Sequence, residues 1–458
     1  MAIATVNPTT GITEKTFDPH TAEQVEAILE RANAANAVMR ATSFAQRSEW
    51  MHRAADLMDA DLEHLAALAA TEMGKTIPTA KYEVTKSANG MRHYADHAEA
   101  YLADEMPVEA SAVGASAARV AYQPIGTVLA VMPWNYPFWQ VIRFAAPALM
   151  AGNTGLLKHA SSVPQVALYL GELFERAGFP AGAFQTLLVE GAAASKLIDD
   201  RRIRAVTLTG SVGAGAAVAE AAGRNIKKSV LELGGTDVFI VTESADVAKS
   251  AEFGANSRTQ NSGQSCICAK RFYVHEDVYD EWFDAFLAKM AAMVPGDPFA
   301  AATSFGPMAT SSVRAEAHEL VEDAIAHGVT VNTGGVLPDG PGWFYPATVL
   351  TGVTPQMRIY REECFGPVAS VYKVASVDEA IALANDSEFG LAASVWSGDQ
   401  SEIDRLQSEL EFGAVFANGN TASFFGLPFG GLKDSGYGRE LGVNGIREFV
   451  NIKTLWTA

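Results

Sequence analysis

Two of the three cysteines in this chain of 458 residues stand one residue apart, in Gly263-Gln264-Ser265-Cys266-Ile267-Cys268. Glycine and small polar neighbours predict a loop there, which leaves a thiol open to a ligand. A thiolate adds readily to an aldehyde and leaves a tetrahedral carbon able to give up hydride. A small buried side chain, the commoner fate of a free cysteine, is the competing reading of this window.

Three other stretches carry chemistry. Asn135, in Pro133-Trp134-Asn135-Tyr136-Pro137, follows an apolar run and is held between two prolines. A rigid amide at the carboxyl edge of an open sheet can donate to an oxyanion; a turn asparagine bonded to its own backbone is the plainer alternative. Glu232, in Leu231-Glu232-Leu233-Gly234-Gly235, is a lone carboxylate ending an apolar strand. Burial would raise its pKa and suit it to general-base work, whereas solvation at an edge would not. Ala205-Val206-Thr207-Leu208-Thr209-Gly210-Ser211 runs from a strand into a glycine turn and a helix, whose first amides suit a pyrophosphate. Its glycines at 210, 213 and 215 do not reproduce G-x-G-x-x-G, so a turn without a ligand stays open. Gly74-Lys75-Thr76 is not a P-loop, because Ala69 stands where that motif needs glycine. Thiol, carboxylate, amide and phosphate turn are together the parts needed to oxidise an aldehyde to an acid.

Positioning these groups requires a sheet. The first hundred residues read as helical, with a capping box at Thr21-Ala22-Glu23-Gln24 and one long helical pattern over Ser43–Met73. From Gln123 short apolar strands alternate with helices. Strands are expected at Thr127–Met132, Thr154–Leu157, Gln185–Val189, Ala205–Leu208 and Ser229–Leu233, with helices at Gln165–Ala177 and Gly213–Ala222. That alternation predicts a parallel, doubly wound sheet. A second α/β unit over Thr236–Leu432 takes strands at Val238–Val241, Phe272–Val274 and Val368–Tyr372. The segment Phe449–Trp456 alternates like an edge strand, for pairing within the chain or with another subunit.

The balance of 34 basic and 53 acidic residues, net charge -19, excludes a nucleic-acid partner and disfavours an anionic membrane. No apolar run spans a bilayer, the first residues lack a signal-peptide pattern, and an odd cysteine count fits a reducing cytoplasm. The one His-x-x-x-His pair, His93 and His97, has no third His or Cys ligand in its sequence neighbourhood and there is no Cys-x-x-Cys pair, so no metal is expected.

In order along nearly its whole length, the chain resembles the NAD(P)-dependent aldehyde dehydrogenases. The resemblance rests on Pro133-Trp134-Asn135-Tyr136-Pro137, Leu231-Glu232-Leu233-Gly234-Gly235, Gly263-Gln264-Ser265-Cys266, Glu362-Glu363-Cys364-Phe365-Gly366-Pro367 and Pro428-Phe429-Gly430-Gly431-Leu432-Lys433. It implies two doubly wound open-sheet α/β domains with a β-flap for oligomerisation. The cofactor-binding domain would take residues 1–108 and 124–235, the flap 109–123, the catalytic domain 236–443, and a C-terminal oligomerisation strand 444–458. A homodimer or dimer of dimers is implied. Cys266 would be the nucleophile, Glu232 the base, and Asn135 with the Cys266 amide the oxyanion hole. Lys158 and Ser161 would face the adenosine ribose and Gly210 and Ser211 the pyrophosphate. Glu363 would hold the nicotinamide ribose, with Phe365 beside the ring and Trp134 and Leu233 completing the cofactor site.

Family members that prefer NAD often carry glutamate where Ser161 stands here; its carboxylate would repel a 2′-phosphate. Ser161 removes that repulsion, so NADP is expected over NAD. Bacterial succinate-semialdehyde dehydrogenases resemble the chain most, with Arg143 and Ser423 matching their holders of the distal carboxylate and Phe429 lining the substrate site. Where some relatives carry a second such arginine this chain has Gln260, with Arg258 two residues earlier. A dehydrogenase of broader aldehyde specificity is the alternative. Acyl transfer to coenzyme A is disfavoured by retention of Glu232, and a non-catalytic role by retention of all three catalytic types. Cys268 is a candidate redox partner for Cys266, in a short and strained ring, or else a passive small side chain.

Overall fold

The alternation of strands and helices folds into two separate, largely parallel sheets, seen in a computed structural model that describes residues 2–458. The first has six strands in the order Gly436–Tyr437, Lys228–Glu232, Ile203–Thr209, Thr127–Met132, Thr154–His159 and Phe184–Thr186. All neighbours are parallel except the edge strand Gly436–Tyr437, which runs antiparallel to Lys228–Glu232. Thr127–Met132 is buried at every residue but Val131. Such a continuous apolar run belongs to a strand covered on both faces by helices. Those helices include Trp139–Met150, Pro164–Arg176 and Val212–Arg224.

The second sheet has seven strands: Thr330–Thr333, Thr348–Thr351, Val368–Val374, Arg271–His275, Val238–Val241, Ala392–Trp396 and Ala414–Ala417. Only Thr330–Thr333 is antiparallel. After the last of these strands the chain returns to the first sheet, where Gly436 pairs with Glu232. That return carries the segment around Phe429 and Glu440 over the end of the strand bearing Glu232.

Expected and observed elements differ where a tertiary contact outweighs a local pattern. Residues Ile3–Asn7 and Ile12–Phe17 form an antiparallel hairpin rather than helix. Gly11 turns it at φ 73°, and the Ala4 amide donates to the Ser161 carbonyl, anchoring it. The expected helix over Ser43–Met73 breaks at Asp61 into Phe44–Ala60 and Leu62–Met73. The Asp61 carboxylate accepts from the Tyr169 hydroxyl at 3.0 Å and from Arg176 at 3.2 Å. A strand expected at Gln185–Val189 is shorter and earlier, Phe184–Thr186. The capping box at Thr21 forms, with the Thr21 amide donating to Gln24 at 2.8 Å.

The terminal strand Val450–Thr457 pairs along its whole length with Ala117–Pro124, so its partner lies within the chain. The two make a ribbon separate from both sheets. No described helix is long and apolar enough to cross a membrane.

Candidate active site

A cavity of about 380 Å³ opens between the two sheets' loops, with Cys266 on its wall beside Arg143, Trp139, Ser423 and Phe429. The loop bearing Cys266 follows the helix Val247–Thr259 through a tight turn in which Asn261 and Ser262 both have positive φ. Gly263 continues it at φ 74°, where a Cβ would stand 2.3 Å from the Gly366 backbone. The nucleophile loop therefore packs directly on the Glu363–Pro367 stretch, and only glycine fits.

Backbone carbonyls of this loop are tied from two sides. The Lys270 ammonium donates to the carbonyls of Ser265 at 3.0 Å and Cys266 at 2.7 Å and pairs with Glu363 at 3.0 Å. Buried Arg258 donates to the carbonyls of Gly263 at 2.7 Å and Ala269 at 2.9 Å. Arg258 thus holds the loop from behind and does not line the cavity. Gln260, on the wall, donates to the Tyr136 hydroxyl at 2.7 Å. Burial pushes the Cys266 thiol up to about 12, against the pull of Arg143 and Lys270. The sulfur is a thiol at neutral pH and needs a base before it attacks.

Asn135 is buried; its amide donates to the Gln264 carbonyl at 3.1 Å, two residues before Cys266. Asn261 in turn donates to the Asn135 carbonyl at 2.8 Å, so amide and thiol loop are locked together. The amide is tied across the chain rather than to its own turn. Glu232 is buried too, and neither carboxylate oxygen has a hydrogen-bond partner among the described residues. Burial first, and the neighbouring Glu440 second, raise its pKa well above the usual carboxylate range. The edge-solvated alternative for Glu232 is therefore excluded.

The phosphate turn sits beside Glu232. The Gly210 amide donates to the Glu232 carbonyl at 3.0 Å, and Ser211 caps the helix Val212–Arg224. Leu233 is buried against that helix, where a Cβ at Gly215 would stand 2.6 Å from its methyls. Lys158 and Ser161 lie at and just past the end of Thr154–His159. Trp134 and Phe365 meet edge to face at 5.8 Å. Glu363 lies so close to Gly234 that a Cβ there would meet its carboxylate at 2.3 Å. These residues, scattered over the sequence, converge on the carboxyl edge of the first sheet.

Arg143 lines the cavity and stacks over the Phe429 ring at 4.6 Å. Its guanidinium forms a buried ion pair with Glu440. Ser423 accepts from the Trp139 indole at 3.0 Å and from Lys86 at 2.9 Å. Cys268 is buried, its thiol donating to the Ser265 carbonyl at 2.9 Å. Sequence reasoning missed Glu440, Lys270, Lys86 and the buried Lys75–Glu83 pair. Nothing in their sequence neighbourhood marks them, because the groups each of them meets lie on other elements.

The family model of the aldehyde dehydrogenase family matches residues 1–455. An aldehyde dehydrogenase of Paenarthrobacter nicotinovorans is 65% identical over 458 residues, covering 100% of both chains. A succinate-semialdehyde dehydrogenase [NADP(+)] 1 of Mycobacterium tuberculosis is 54% identical, again over 100% of both. The crystal structure of succinic semialdehyde dehydrogenase from Streptococcus pyogenes in complex with NADP+ superposes with TM-score 0.96 at 36% identity, covering 99% of each chain. Fold, site geometry and these likenesses agree that the chain belongs to the aldehyde dehydrogenase family.

Proposed function

We propose that this protein oxidises succinate semialdehyde to succinate with NADP as hydride acceptor. The observation that carries the reading is the full-length 54% identity to relatives named for that reaction, joined to a cavity that presents Cys266 together with cationic side chains. The cofactor residues fit a 2′-phosphate. Lys158 is half-buried, without a hydrogen-bond partner among the described residues, and burial lowers its pKa. A phosphate dianion would favour its charged form, and Ser161 beside it offers a donor in place of a repelling carboxylate. Lys158 and Ser161 would hold that phosphate, Gly210 and Ser211 the pyrophosphate, and Glu363, Phe365, Trp134 and Leu233 the nicotinamide end.

In this reading Cys266 passes its proton to a base and its sulfur bonds to the aldehyde carbon. Asn135 and the Cys266 amide donate to the resulting oxyanion. The bound dinucleotide supplies a hydride acceptor. A thioester on Cys266 remains, and Glu232 takes a proton from water as it attacks the acyl carbon, freeing acid and thiol. The first sheet serves as cofactor-binding domain, the second as catalytic domain, and the ribbon Ala117–Pro124 with Val450–Thr457 as the contact of a homodimer or dimer of dimers in the cytoplasm.

The test is kcat/KM for succinate semialdehyde and for butanal with each dinucleotide. A preference of at least about 100-fold for the charged aldehyde is expected, as for a buried charge-assisted contact. NADP should exceed NAD, and Ser161→Glu should reverse that order. Equal efficiency on both aldehydes, or NAD preferred by the unaltered enzyme, would overturn the corresponding half of the reading.

A further inference from the structure

The cations on the cavity wall differ in whether their charge is matched. Lys75 is paired with Glu83 and Arg143 with Glu440, both pairs buried. Lys86, on the helix Ile77–Tyr101, has no carboxylate at ion-pair distance among the described residues. Its ammonium lies 4.7 Å over the Trp139 ring and donates to the Ser423 hydroxyl oxygen at 2.9 Å. Burial, then the nearby Arg143, pull its pKa down to about 8, as expected where a positive charge lacks a counterion.

Ser423 sharpens the point. A hydroxyl has two acceptor lone pairs and one donor hydrogen. Lys86 and the Trp139 indole occupy the oxygen as donors, and no described residue accepts from it. Its hydrogen is therefore left to donate to a ligand. Lys86 keeps two further N–H groups, so Lys86 and Ser423 together offer the cavity several adjacent donors. That arrangement complements a carboxylate, which when ionised only accepts. Lys86 and Ser423 also line a second cavity of about 240 Å³ with the exposed Tyr82 and Phe424, which places them toward the mouth.

We propose that Lys86, together with Ser423, is the seat of the substrate's distal carboxylate, while the charge of Arg143 is engaged by Glu440. The inference rests on the semialdehyde reading and makes Lys86 the determinant of selectivity for aldehydes that end in a carboxylate. The experiment measures kcat/KM of the NADP-supplied enzyme for succinate semialdehyde and for butanal in wild type, Lys86→Met and Lys86→Arg. Turnover of butanal reports that each variant is folded. In Lys86→Met the efficiency ratio of the charged to the uncharged aldehyde should fall about 100-fold, chiefly through KM, and Lys86→Arg should recover most of it. A wild type that prefers succinate semialdehyde, with an unchanged ratio in Lys86→Met, would overturn the role of Lys86 alone. A wild type with no preference would overturn the substrate reading and this inference with it.

Discussion

A carboxylate with no hydrogen-bond partner is costly to bury ionised, and Glu232 answers by holding its proton more tightly. Its pKa is raised, so the proton-accepting form accumulates as pH rises, and thioester hydrolysis should accelerate with pH through that raised value. The proposed roles separate cleanly in Glu232→Gln. Glutamine keeps the shape but takes no proton, so steady turnover should slow by roughly 10²–10⁴ while the first equivalent of NADPH still appears in a stopped-flow burst. Loss of the burst with hydrolysis intact would reverse the assignment of Cys266 and Glu232. Cys266, Asn135 and Glu232 were all legible as candidates, because each sits in a short stretch whose neighbours impose a loop, a rigid turn or a strand end. How far each is withdrawn from water was not legible, and that withdrawal is what raises the pKa of Glu232 and Cys266.

Between elements, the helix Ile77–Tyr101 does more than pack. Glu83 on it accepts from the amides of Phe138 at 2.8 Å and Trp139 at 3.0 Å, satisfying the open N-terminus of the helix Trp139–Met150. The same carboxylate pairs with Lys75, which lies over the Tyr136 ring at 3.9 Å. Glu83 thereby sets the helix start four residues after Asn135. Glu83→Ala leaves a buried ammonium alone and uncaps that helix, and should cost about 3–5 kcal/mol, read as a lower midpoint of chemical unfolding. A shift below about 1 kcal/mol, the range of exposed pairs, would show that the pair is dispensable. Apolar runs such as Thr127–Met132 and Val238–Val241 were readable because burial on both faces demands them. The hairpin of Ile3–Asn7 with Ile12–Phe17 was not, since its support comes from Ser161 far along the chain.

At the scale of the molecule, the ribbon of Ala117–Pro124 and Val450–Thr457 stands apart from both large sheets. Two strands alone are marginal in water, and this pair exposes Ile452 at 64% and Trp456 at 52%. A second copy covering that face would resolve the exposure. Ending the chain after Phe449 should therefore reduce the oligomer to monomers in size-exclusion chromatography with light scattering. An unaltered protein that is already monomeric at micromolar concentration would defeat the assignment. The family resemblance led to the expectation of a flap over 109–123 and a C-terminal strand over 444–458; the continuous antiparallel register of Ala117–Pro124 with Val450–Thr457 is a result of the fold.

Read alone, the chain determined the reaction type, because a thiol loop, a proline-bound amide and a strand-end carboxylate are each written in contiguous residues. It also marked five of the six strands of the first sheet and three of the seven of the second, those that announce themselves by apolar runs. Tertiary structure decided which charges are matched: Arg143 by Glu440, Lys75 by Glu83, Lys270 by Glu363, and Lys86 by none of the described residues. Electrostatic energy depends on distance through space and on how much water is excluded. Neither quantity is carried by position along a chain.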